Sequence, residues 1–156
     1  MRYLKKLPVT SINNYISGFY ALNVPDEDGI PADWHPQLYW YSLNKDDTVP
    51  LYNTNNIFGT EGVQNRVVNY FSCSVYDKVY IATHVRAIAD LAVTLLDISV
   101  LRGCTNDWLR TEEQEWELYK MLLKLNDIDS NIEWFLKEEF NKFHLGGKKH
   151  ETISKG

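Results

Sequence analysis

Tyr15-Ile16-Ser17-Gly18-Phe19-Tyr20-Ala21-Leu22-Asn23-Val24-Pro25, followed after an acidic turn by Ala32-Asp33-Trp34-His35-Pro36-Gln37-Leu38-Tyr39-Trp40-Tyr41, is the stretch on which the fold turns. Its β-branched and aromatic residues favour extended chain, and Gly18 marks a bulge or a close backbone approach. In a second strand, Leu38 and Trp40 share one face, while Tyr39 and Tyr41 share the other. Between the two, Pro25 and Gly29 bracket Asp26-Glu27-Asp28 as a turn. It has too few fixed oxygen donors to make a hard-cation site, so it reads as a solvated loop. Val49–Tyr52 is a further short strand, pushed to an edge by Pro50. Gly59-Thr60-Glu61-Gly62 is a turn; it lacks the Gly-Lys-Ser/Thr ending of a phosphate loop.

Beyond residue 63 the pattern becomes helical. From about Tyr76 to Leu96 the residues Val85, Ile88, Leu91, Ala92 and Leu95 recur at spacings of three and four, one face of a helix. Arg86 and Asp90 form an i,i+4 pair on it. Thr111-Glu112-Glu113-Gln114 has the capping-box form and opens a second helix carrying Trp116, Tyr119, Leu122 and Leu123. Ser130-Asn131-Ile132-Glu133 repeats that form and opens a third, lined by Trp134, Phe135, Leu136, Phe140 and Phe143. Gly146-Gly147 ends it. The expectation is one α+β domain over residues 1–145. A β-rich first half, an antiparallel ribbon or small sheet, packs on about three helices, and a flexible polar tail spans 146–156.

Composition excludes some functions. The 156 residues carry a formal charge of −5, which opposes nucleic-acid binding by phosphate neutralisation. No apolar run reaches membrane-spanning length. Met1–Pro8 holds basic residues without an apolar signal core, which points to the cytoplasm. Two cysteines, Cys73 and Cys104, without Cys-x-x-Cys spacing read as reduced thiols, with a single disulfide left open.

Chemistry-bearing residues are few. Asp33 and His35 are two apart; on a strand they would face the same way as a base–orienter pair or as two metal ligands. His84 is the next ligand in a metal-assisted hydrolase or nuclease reading, with Cys73 and Cys104 as further donors of a kind zinc accepts. No His-Glu-x-x-His or Gly-x-Ser-x-Gly pattern completes such a site. The plain reading is that Asp33 accepts backbone N–H groups after Pro31 and His35 donates to it. No cofactor is expected. The aromatic content instead favours binding of another protein, a second copy of the chain included. Trp34, Tyr39, Trp40 and Tyr41 are the anchors and Arg86 is a further contact. The glutamates of the helical half, from Glu112 to Glu139, form a solvated acidic face or a dock for a basic partner.

Five blocks carry a resemblance: Tyr15-Ile16-Ser17-Gly18-x-x-Ala21-Leu22-Asn23-x-Pro25, Asp33-Trp34-His35, Ile57-Phe58-Gly59, His84-Val85-Arg86-Ala87-x-x-Asp90-Leu91, and Leu101-Arg102-Gly103-Cys104-x-Asn106-Asp107. Over about residues 15–125 the chain resembles a family of small uncharacterised bacterial proteins associated with mobile-element or defence regions. That resemblance implies an accessory, antitoxin-like or inhibitor protein that binds a partner. It implies no catalytic residue.

Overall fold

The computed structural model describes residues 2–70 and 73–144. Among the described residues, seven helices and two separate two-stranded antiparallel sheets give a mixed α+β fold. Short elements come first: β1 (Tyr3–Leu4), α1 (Gly18–Leu22), α2 (Pro36–Tyr39), β2 (Tyr41–Ser42) and α3 (Asn55–Phe58). A long hairpin follows, β3 (Val63–Tyr70) and β4 (Cys73–Ala82), and then α4 (His84–Thr94), α5 (Cys104–Asp107), α6 (Glu112–Ile128) and α7 (Glu133–Glu139). All four strands end by Ala82 and α4 to α7 follow, but three short helices lie before residue 60, so the expected division into a β-rich first half and a helical second half is not confirmed. The predicted tail, 146–156, lies outside the described residues.

The opening stretch folds differently from expectation. Tyr15 and Ile16 are extended: Tyr15 makes an isolated bridge to Tyr52, and Ile16 one to Ile81 on β4. The chain then turns into α1 at Gly18, whose φ of +59° suits glycine. A Cβ there would collide with the Tyr52 ring, so the close approach is real and the bulge is not. Residues 36–39 form a helical turn instead of a strand because Pro36 occupies its first position, where no N–H is needed. Val49–Tyr52 makes an isolated bridge instead of a strand.

The hairpin pairs Val63 with Ala82 through Arg66 with Val79, and its register breaks between Arg66 and Val68. The strand β4 occupies the start of the predicted helix, which begins only at His84, where the Thr83 hydroxyl accepts the Arg86 N–H. Every residue of α4 from His84 to Ala92 is buried. A helix buried on all sides belongs in the middle of a fold, and α4 packs against both α1 and α6. The Thr111 capping box of α6 forms as predicted. The last helix starts later than expected: Asp129 caps a single 3-10 turn, Ser130–Ile132, and α7 continues from Glu133.

At the centre lies a buried ion pair. Arg86 and Asp90 are both 0 % exposed, with Nε 3.2 Å from Oδ1. Arg86 Nη1 donates to the carbonyls of Gly59 (2.8 Å) and Glu61 (2.6 Å). Its Nη2 donates to Tyr15 Oη (2.8 Å), Thr54 Oγ1 (3.1 Å) and Asn55 Oδ1 (2.8 Å). Asp90 accepts from Tyr15, Ser17 and Thr54. The loop that is no phosphate loop is thus a carbonyl cradle for a cation. Gly62, at φ +81°, lets it close: a Cβ there would strike Arg86 Cβ.

Candidate functional site

Asp33 and His35 precede α2 on a turn, and they do pair: His35 Nδ1 lies 2.9 Å from Asp33 Oδ1. Asn23 fixes both, donating through Nδ2 to Asp33 Oδ2 (3.0 Å) and accepting the His35 N–H at 2.6 Å. The Asp33 side chain is 11 % exposed and the His35 ring 67 %, so the carboxylate is part of the turn and the imidazole faces solvent. His84 is placed elsewhere. It is 6 % exposed, and its Nε2 lies 3.0 Å from the Val24 carbonyl. A carbonyl only accepts, so Nε2 carries the proton and Nδ1 the lone pair. Burial holds this imidazole below the usual histidine range. Cys104 is a buried free thiol, pushed far up by desolvation and by Glu139. Among the described residues no group of three or more His, Cys, Asp or Glu side chains is placed to hold a metal ion. The expected convergence of Asp33, His35 and His84 is therefore corrected to a surface pair and a separate buried histidine.

The expected aromatic anchors divide in the same way. Trp40 is 0 % exposed, with its indole N–H donated to the Tyr20 carbonyl at 3.0 Å. Tyr39 is half-buried and stacks on Phe19 with ring centroids 4.7 Å apart. Burial raises its hydroxyl pKa. Tyr41 is also half-buried. Arg86 lies in the core. Trp40 and Arg86 are thus corrected from partner contacts to interior groups: α1 and α2 pack their rings against each other, and the guanidinium is spent on internal acceptors. Trp34 alone of the expected anchors is open, at 72 %. Leu38 (66 %) and Leu43 (78 %) are exposed in the same stretch of chain. Among the described residues, no helix is long and apolar enough to cross a membrane.

A cleft at the base of the hairpin had no counterpart in the sequence reading. Two adjoining cavities of about 520 and 230 Å³ share Asp26, Glu27 and Arg66. The smaller is also lined by Thr83, His84 and Arg110. Arg110 pins the acidic turn, with Nη2 2.6 Å from Asp26 Oδ2 and 3.3 Å from Asp28 Oδ2. Burial pushes Asp26 up, but N–H groups from Ile30 and Asp28, together with Arg110, outweigh it and hold the carboxyl below its usual range. Arg66 reaches the cleft beside the register break in β3, a place where irregular pairing commonly re-aims a side chain. Neither arginine stood in a recognisable motif; the acidic turn was the only visible signal. Comparison with protein-family models, with curated proteins and with solved structures found no match to this chain.

Proposed function

We propose that the protein binds another protein through the surface carried by Trp34 and Leu38, beside the exposed ring of His35. The observation that supports this is the exposure of Trp34, at 72 %. Every other aromatic of that stretch is at least half-buried, so folding does not account for this one. Trp is among the residues in which interface energy concentrates. An anchor of this kind, lost on truncation, costs about 2 kcal/mol or more of binding. An accessory, antitoxin-like or inhibitor role in a bacterial mobile-element or defence system rests on the resemblance of the sequence blocks. The test is affinity capture from the source cell with the wild-type chain and with a Trp34→Ala, Leu38→Ala variant. The proposal expects a specific partner to disappear from the variant while the melting temperature stays within a degree or two. Retention of the same partner by the folded variant refutes it.

A further inference from the structure

Asn23, Asp33 and His35 form a closed arrangement that leaves one reactive atom open. Asn23 is 2 % exposed, and its amide is fully used. Its Nδ2 donates to the Phe19 carbonyl (2.8 Å) and to Asp33 Oδ2 (3.0 Å), while its Oδ1 accepts the His35 N–H (2.6 Å). The Asp33 backbone is held as well, its N–H donating to the Leu22 carbonyl at 2.9 Å. The remaining carboxylate oxygen, Oδ1, lies 2.9 Å from His35 Nδ1. A carboxylate oxygen only accepts, so Nδ1 carries the ring proton and Nε2 the lone pair. The ring is 67 % exposed, and Nε2 has no partner among the described residues.

The other described histidines are not placed this way. His84 is buried against the Val24 carbonyl. His144 is buried with both ring nitrogens engaged, Nδ1 by Tyr119 Oη (2.6 Å) and Nε2 by Glu133 Oε1 (2.6 Å). The turn before α2 accounts for Asn23 and for the Asp33 carboxylate. It does not account for an imidazole fixed at one nitrogen and open at the other. A ring held so is a nucleophile in a chosen tautomer, and the carboxylate behind it balances the positive charge that the ring gains on reaction. Arg2 adds a cation to the same short helix, with Nη1 donating to the Gln37 carbonyl at 3.0 Å. An open position suits a phosphoryl group, whose charged oxygens stay in water. Acyl transfer instead relies on a sheltered oxyanion hole.

The geometry points to His35 Nε2 as a phosphoryl-acceptor site, served by a donor that carries its phosphoryl group on nitrogen, the phosphoramidate class. The Nε2 lone pair attacks phosphorus. The Nε2–P bond forms as the donor's P–N bond breaks, and the leaving amine takes that electron pair. The ring keeps its Nδ1 proton, and its new positive charge faces Asp33 Oδ1. This modification needs no partner protein, so it does not rest on the Trp34 surface.

The test is incubation of the full chain with phosphoramidate, followed by peptide mass mapping and by NMR of the ¹⁵N-labelled histidine rings. The expected result is one phosphoryl group on His35, attached at Nε2 alone because Asp33 occupies Nδ1. It should form about tenfold or more slowly in Asp33→Asn, as loss of a charge-assisted hydrogen bond implies, and be absent from that peptide in His35→Gln. The attachment point is read on the wild-type chain, so the test holds even where Asp33→Asn fails to fold. If His35 stays unmodified, if the group attaches at Nδ1, or if folded Asp33→Asn reacts at the wild-type rate, the inference is overturned.

Discussion

Arg86 shows how a residue can be identified correctly and its role misread. The i,i+4 spacing to Asp90 is visible in the sequence, and the pair forms. Such pairs are usually solvated and worth a few tenths of a kcal/mol. Here both side chains are fully buried, and every guanidinium donor is used. Four side chains, Asp90 included, and two carbonyls turn inward to meet Arg86, so an apolar replacement would strand several acceptors at about 1–3 kcal/mol each. Asp90→Asn removes one charge of a buried pair and is expected to cost about 3–5 kcal/mol. Chemical denaturation monitored by circular dichroism checks this; a loss below about 1 kcal/mol would show that the network is not the fold's central tie. Glu133 gives a pH-dependent counterpart. Its carboxylate lies 2.6 Å from His144 Nε2, and that bond, with the Asn126 amide, holds its pKa below 4.5. A depressed carboxylate contributes stability that is full above its unfolded value and is lost as pH falls through the folded one. Glu133→Gln should therefore flatten the acid limb of the stability profile below about pH 4.5. An unchanged limb would remove Glu133 from the account.

Among the elements, α6 was readable because its signals are local. Thr111 and Gln114 meet within one turn, and the capping box forms. The start of α4 was obscured because β4 runs directly into it. Val79 and Ile81 are buried and alternate with Lys78 and Tyr80, the period-2 pattern of a strand. Thr83 then marks the N-cap, and apolar residues on both sides of it merge into one long helical stripe when spacing alone is read. The short helices α1 and α2 carry aromatic sequences of high strand propensity. Tertiary contacts override that preference: Phe19 stacks on Tyr39, and Tyr20 meets Trp40 edge-on with centroids 5.8 Å apart. The Asp33–His35 contact was legible from a spacing of two. The cleft was not, since Asp26, Arg66, His84 and Arg110 come from a turn, a strand, a helix start and a loop far apart in the chain.

For the molecule as a whole, the interior absorbs most of what looked functional: Arg86, Asp90, Trp40 and His84 are all buried. What remains outside is the turn of Trp34, the acidic outer face of α6 and the cleft. The Trp34 surface carries the account, and the acidic face is its rival, since basic partners dock on such surfaces. Site-specific photo-crosslinking separates the two most directly. A benzophenone amino acid is placed at exposed position 37, beside Leu38, in one variant and at position 113 in another, and each is irradiated in the source cell. Partner binding through Trp34 predicts one discrete adduct from position 37 and none from 113. An adduct from position 113 alone would contradict it.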